Sequence, residues 1–291
     1  MAAIAPEKVL KDLNHLWAGL AAQNAGASTE AGVLRACAMT FIVALEPDDD
    51  GQSVGQTIAE LIHEHPSRAI VLKPGAESAP LDANVSAQCW MPFGKRQQVC
   101  CEQIEITAPP ANAIQASRLI LGLLASDLPA VLWSRGSAWL RSAGFADLLP
   151  LMTKIIVDSG RGCGISDIGR LRRRTPHVAD LEWTRTTRTR QEVSRFFDDP
   201  RHASELKAVN TIVVPAGQCY LGAWLLRALP GSKLSLDGPP GQIRLEGPGV
   251  EFEFPIVPGP ESDYALLNEE LGIIGPDQVF ENVVTVAETL V

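Results

Sequence analysis

From Pro6 onward, apolar residues fall at helical spacing. Val9, Leu10, Leu13, Leu16, Trp17 and Leu20 share a face, which predicts an amphipathic helix. The loop "ASTEAG" follows. "VLRACAMTFIVALE" is then apolar enough for a buried strand, "QTIAELIHEH" returns to helical spacing, and "RAIVLKPG" predicts a second buried strand. Pro66 stops the helix between them, because its ring crowds the preceding turn and it has no N–H to donate.

The alternation recurs. "ANVSAQCWMPFG" and "RQQVCCEQIEITAP" predict a strand pair, the second alternating in part at Val99, Cys101, Ile104 and Ile106. "ANAIQASRLILGLLASD" predicts a helix, "LPAVLWSRG" a buried strand, "SAWLRSAGFADLLPLM" a helix and "KIIVDSG" a strand. Past an arginine-rich stretch, "LKAVNTIVVPAG", "YLGAWLLRALPG" and "KLSLDG" alternate strand, helix, strand. "GQIRLEG" and "VEFEFP" are short strands parted by Gly and Pro, and a helix closes the chain, with Pro276 suited to its first position. Strand–helix–strand units with largely parallel sheets in two blocks imply an α/β fold. The expected division is an N-terminal α/β domain at 1–176 and a C-terminal one at 177–291, the latter with short antiparallel strands and a terminal helix.

Composition adds limits. At 291 residues, 46% hydrophobic and 20% charged, the chain is globular rather than disordered. The start lacks a basic segment followed by an apolar block, and the most apolar run, from Leu119, is cut by Asp127 and Pro129. The expectation is a cytoplasmic protein without a membrane partner. Six cysteines, at 37, 89, 100, 101, 163 and 219, form no C-x-x-C pair, so free and mostly buried thiols are expected. If Cys100 and Cys101 lie on one strand, they face opposite ways, one buried and one half-exposed.

Charge is uneven. Arg161 to Arg201 holds ten Arg and no Lys against six acids, a net of +4 in a chain of −9. An acidic protein with one cationic segment does not fit nucleic-acid binding, and none is expected. It does fit a local contact with an anion or an acidic partner. No nucleotide, dinucleotide, zinc-protease or hydrolase motif occurs, so no cofactor is expected. His63, Glu64 and His65 are too close in sequence to converge as helical metal ligands, and "DDDG" at 48–51 leaves a calcium loop incomplete. "GRGCGISDIG" is Gly-rich but lacks the Lys and Ser/Thr of a phosphate loop.

Within the cationic segment, "DLEWTRTTRTRQEVSRFFDDP" places Arg185, Arg188, Arg190 and Arg195 in eleven positions. "TRQE", Thr189 to Glu192, fits a capping box and predicts a helix start, with Val193, Phe196 and Phe197 facing inward. Arginine in a first turn opposes the helix dipole, so Arg190 is not explained by helix stability.

This stretch resembles the OpcA-type glucose-6-phosphate dehydrogenase assembly proteins, whose hallmark runs D-L-x-W-x-R-x-T-x-W-R before a helix ending in F-D. Asp180, Leu181, Trp183, Arg185, Thr187, Arg190, Phe197 and Asp198 match it. "EHPSRAIVL" with His65, Pro66 and Arg68, "LPAVLWSRG" with Pro129, Trp133 and Gly136, "IIVDSG" with Asp158 and Ser159, and "GPDQVFENVV" are similar, in the same order. Thr189 and Ser134 stand where the family tends to carry further Trp. The resemblance implies a protein without catalysis of its own. It would bind glucose-6-phosphate dehydrogenase as assembly factor or allosteric activator, at the entry to the oxidative pentose phosphate pathway. Its candidate contact residues are His65, Arg68, Trp133, Asp158, Trp183, Arg185 and Arg190. The rival expectation is an enzyme binding a sugar phosphate through the arginines and the Gly-rich loop.

Overall fold

Runs of β-branched and aliphatic residues form the central strands, and their period-2 alternation divides two hydrophobic faces. The computed structural model describes residues 4–24, 33–91, 98–161, 163–175 and 177–290, so the "ASTEAG" loop lies outside the described residues. Strands β1 (Val33–Arg35), β2 (Met39–Ala44), β3 (Ser67–Pro74), β4 (Asp82–Trp90), β5 (Gln98–Ala108), β6 (Ala130–Ser134), β7 (Lys154–Val157) and β8 (Val178–Asp180) form an eight-stranded sheet. The order is β1-β5-β3-β2-β6-β7-β8, all parallel, with β4 antiparallel on β5. From β2 the chain winds outward through β3 and β5, then returns to β6 on the other side. The winding therefore reverses between β2 and β6.

The helices are α1 (Pro6–Asn24), α2 (Gly51–Leu61), α3 (Ala113–Leu123), α4 (Ala138–Arg141), α5 (Ile165–Arg172), α6 (Leu181–Arg185), α7 (Thr187–Phe197), α8 (Ala203–Leu206), α9 (Cys219–Ala228), α10 (Asp263–Leu271) and α11 (Gln278–Ala287). On one face of the sheet, Phe41, Val43, Val71, Val131, Trp133 and Ile156 pack against Ile58 of α2 and Leu266 and Leu267 of α10. On the other, Ile42, Ile70, Ile104, Leu132 and Ile155 share a core with α1, α3, α5 and α11.

A second, four-stranded sheet comprises β9 (Thr211–Pro215), β10 (Lys233–Gly238), β11 (Gln242–Gly247) and β12 (Val250–Pro255) in the order β10-β9-β11-β12. Only the β10–β9 pair is parallel. Ile212, Val214, Ile243 and Leu245 pack on Val193 of α7 and on Leu221 and Leu225 of α9. Helix α9 also sends Tyr220 and Ala223 into the core of the first sheet, so it joins the two. Residues beyond 176 also build the first sheet: β8 extends it, and α10 and α11 cover its two faces. No described helix is long and apolar enough to cross a membrane.

Five local expectations change. The single strand expected from residue 33 divides at 36–38, where Ala36 N–H donates to Cys100 O and Ala38 N–H to Pro66 O as the chain crosses to another neighbour. The helix expected after Ser137 is the short α4 followed by 3-10 turns at Ala143–Phe145 and Leu149–Leu151. Gly144 lies there so close to the backbone of Ala113 that a Cβ would collide with it. Pro276 precedes the cap rather than opening the helix: Asp277 caps α11, accepting from the N–H groups of Val279 and Phe280. Cys100 is disulfide-bonded to Cys89 across the β4–β5 ladder instead of carrying a free thiol. Cys101 is buried and donates to Ala36 O at 3.3 Å, so neither neighbouring cysteine is half-exposed.

Candidate partner-contact site

The hallmark stretch starts at the end of β8. Asp180 stands there beside Val157 of β7, fully buried, at the point where strand gives way to α6. Its Oδ1 accepts the N–H groups of Ser159 at 2.9 Å and Glu182 at 3.0 Å, and its Oδ2 accepts the Tyr220 hydroxyl at 2.6 Å. Burial pushes the Asp180 carboxyl up to about 6, against the opposing pull of the Ser159, Tyr220 and Glu182 hydrogen bonds. Burial, with the Asp180 charge behind it, likewise pushes the Tyr220 phenol up.

One turn later Arg185 reaches back to the residue after β7. Its Nη1 and Nη2 donate to Asp158 Oδ1 at 2.9 Å and Oδ2 at 2.7 Å, a two-pronged pair, and Nη1 also donates to Glu182. Asp158 is buried, 3% exposed, so this guanidinium is its main compensating charge, with Arg161 a longer second contact at 3.6 Å. The Asp158 hydrogen bond raises the Arg185 pKa against the cost of desolvation.

Trp183 points the other way. It packs on Tyr220 and Phe280, and its indole N–H donates to Asp277 at 2.9 Å, the carboxylate that caps α11. Arg190 lies over the indole with its guanidinium carbon 3.4 Å from the ring centroid. It donates to Thr186 Oγ1 at 2.9 Å and Thr187 Oγ1 at 3.0 Å, and forms no ion pair among the described residues. Burial lowers its pKa to about 10, with Asp277 and Glu270 pulling the other way, so it remains a cation at neutral pH.

Helix α7 starts at Thr187, two residues before the expected capping box. Thr189 caps nothing: its hydroxyl bonds both the carbonyl and the N–H of Val257, 68 residues away. Next to it, Gly259 touches the Arg185 backbone so closely that no Cβ fits. The stretch therefore links β7, β8, α9, α11 and the loop before α10. What it leaves toward solvent is the outer side of α7, with Arg188 exposed and Arg195 71% exposed beside Glu192.

The other sequence candidates lie elsewhere. Trp133 is buried in β6, with Phe41 stacked beside it and Arg135 above its ring, 4.8 Å to the centroid. Arg135 bonds Asp49 at 2.9 Å and also pairs with Asp263. Arg135 and Asp49 border a cavity of about 520 Å³ with Glu46, Asp48, Gly160 and Arg161, just outside the ends of β2 and β6 where the winding reverses. Open α/β sheets commonly bind ligands at such a place. Here, however, Arg135 is taken up by Asp49 and Asp263, while Asp263 Oδ1 is buried without a hydrogen-bond partner among the described residues. Burial, with Asp49 and Asp48 adding to it, raises the Glu46 pKa despite its hydrogen bond from Ala138.

His65 and Arg68 are at the opposite end of the sheet. His65 Nε2 lies 2.8 Å from Asn268 of α10. Arg68 bonds Glu102 at 2.7 Å and the Leu123 carbonyl at 2.7 Å, while Glu102 also takes Trp17 and Arg35. The structure thus gathers Asp158, Trp183, Arg185 and Arg190 in one place and leaves His65, Arg68 and Trp133 apart. Asp277, which lies in the family-like "GPDQVFENVV", joins the gathering, and Tyr220, Val257 and Gly259 complete it without a sequence signal, because their partners are dozens of residues distant. Among the described residues no three His, Cys, Asp or Glu side chains are placed to hold a metal ion.

Known proteins are similar to parts of this chain. The family model of the glucose-6-phosphate dehydrogenase subunit N-terminal domain, of the OpcA assembly type, matches residues 58–174. The OxPP cycle protein OpcA of Synechocystis sp. is 27% identical over 210 residues, covering 67% of this chain. The chain spans 43% of the length of that relative. These matches bear out the resemblance to the OpcA-type assembly proteins that the hallmark suggested.

Proposed function

We propose that this chain is a non-catalytic partner of glucose-6-phosphate dehydrogenase that promotes its assembly or activity in the cytoplasm. The observation that carries this reading is the coincidence of the OpcA-type matches with the geometry of the hallmark. Most of the hallmark's polar groups are engaged in holding α6 and α7 against both sheets. That arrangement makes a rigid mount for α7, whose exposed arginines stand out on a chain of net charge −9. In this reading Asp158, Trp183, Arg185 and Arg190 act on the partner by positioning α7, while Arg188 and Arg195 lie nearest the contact.

The test is direct. Purified chain and dehydrogenase from the same organism are mixed and run on a sizing column, and dehydrogenase turnover is measured with and without the chain. A shared peak together with a change in turnover or subunit assembly supports the proposal. Separate elution at tens of micromolar with unaltered turnover would sink it.

A further inference from the structure

Helix α5 and the turn after it carry a second group of arginines, away from the hallmark. Arg170 lies on α5, Arg173 caps its end, Arg174 follows, and Arg141 reaches over from α4. Together they border a cavity of about 410 Å³ whose apolar wall includes Leu140, Leu149 and Leu171. A second concavity of about 560 Å³ lies on the far side of Arg170 and Arg173, with Ser166 at its edge.

The charges are not balanced internally. Among the described residues Asp167 is the only acid lining the first cavity, and it takes both Arg141, at 2.6 Å, and Arg170. Burial acts to raise the Asp167 pKa, but the two guanidiniums outweigh it and hold the carboxyl below the usual range, so it fixes their positions as an anion. Arg173 and Arg174 are exposed and form no hydrogen bond or ion pair through their side chains among the described residues. In the first cavity four guanidiniums thus face one carboxylate, while Glu288 borders the second.

Cations at a helix C-terminus are favourable in themselves, but Arg172 already occupies that position and is spent on Glu281 at 2.7 Å. That effect also gives no reason for Arg141 to reach in from another element. Guanidinium forks match phosphate oxygens, and this cavity is within the roughly 300–1,000 Å³ common for small-molecule sites.

We propose that the cavity between α4 and α5 binds a phosphorylated small molecule, with Arg173 and Arg174 on the phosphate and the body of the ligand against Leu140 and Leu149. Arg141 and Arg170, pinned by Asp167, complete the anion pocket. The proposal does not depend on binding to the dehydrogenase.

Pyrophosphate is the probe, titrated calorimetrically into the full chain at moderate salt. The expected result is saturable binding at one site per chain, weakened about tenfold or more in Arg173→Ala/Arg174→Ala. Because those side chains have no internal partner, the double variant should melt like the parent when no pyrophosphate is present. Lys207→Ala/Lys233→Ala, which removes two exposed positive charges elsewhere, should bind like the parent. Saturable binding that survives in the arginine variant, an equal loss in the lysine variant, or no saturable binding at all each overturns the proposal. The last two outcomes would make the arginines a diffuse cationic surface of the kind that meets an acidic protein.

Discussion

Tyr220 donates its phenolic hydrogen to Asp180 Oδ2 at 2.6 Å, tying helix α9 to the last residue of β8. Tyr220 belongs to a helix that packs on both sheets, so this bond lies where the second sheet meets the first. It is also shorter than the Ser159 and Glu182 N–H bonds to the same buried carboxylate.

This bond predicts a pH signature. The Asp180 pKa is raised to about 6 in the folded protein, chiefly by burial, from about 4 in an unfolded chain. Between those values the native state holds a proton that the unfolded state has lost. The Asp180 contribution to stability therefore falls as pH rises through that window, by roughly 1–3 kcal/mol, and is constant above it. Tyr220→Phe removes a donor that matters most to the ionised carboxylate. It should cost about 1.5–3 kcal/mol at pH 8 and clearly less at pH 4.5. Urea unfolding of parent and variant at the two pH values checks this, and equal losses at both would show that the hydrogen bond does not depend on the charge.

A brace at Arg185 predicts unequal arginines. Arg185→Ala leaves the buried Asp158 carboxylate only the longer Arg161 contact, at 3.6 Å, and the Gly160 N–H, and should destabilise by roughly 2–4 kcal/mol. Arg190→Ala loses its place over Trp183 and two threonine hydrogen bonds, which should cost about 1–2 kcal/mol. Arg188→Ala and Arg195→Ala alter exposed groups and should stay within about 0.5 kcal/mol. Chemical unfolding of the four single variants gives the ranking. Four similar small values would mean that the stretch is a solvated helix face.

Gly259 predicts a steric effect. A methyl group there meets the backbone of Arg185, which cannot yield without moving the α6–α7 turn. Gly259→Ala should therefore cost about 1–3 kcal/mol, although the residue carries no side chain of its own. Gly217→Ala is no substitute as a control, because its φ of 84° demands glycine for a separate reason. Gly55→Ala, with open space at its Cβ, is the proper comparison, and a loss no larger at Gly259 would refute the close contact.

The proposed partner surface predicts an electrostatic separation. Charge reversal at Arg188 and Arg195 should leave the thermal midpoint within a degree or two and slow association with the dehydrogenase about tenfold at low salt. That difference should shrink as salt is raised. Stopped-flow or surface-binding rates measure it, and an unaltered association rate at low salt would move the contact off α7.

How much of this was legible beforehand depends on how far each interaction reaches along the chain. The strand–helix alternation was legible, and so was the α/β class, because periods of 2 and 3.6 are local. The break at 36–38 and the loss of a continuous helix after Ser137 were not. The first depends on which strand becomes the neighbour, the second on the approach of Gly144 to Ala113. At the site, Asp180, Trp183, Arg185 and Arg190 stood out in one motif, yet their roles did not. Thr189 shows why: its local pattern fits a helix cap, but its hydroxyl finds Val257.

The sequence by itself determined the repeating units, the uneven charge and the family resemblance, all of which are carried by residues near one another in the chain. Tertiary structure alone decided that Arg185 meets Asp158, that Tyr220 meets Asp180, and that Arg141 joins Arg173 and Arg174 around one cavity. Charged and polar side chains have no preferred partner until the burial of apolar strand and helix faces sets the distances between them. Once desolvated, the same groups must be paired, and the choice of partner follows from that packing.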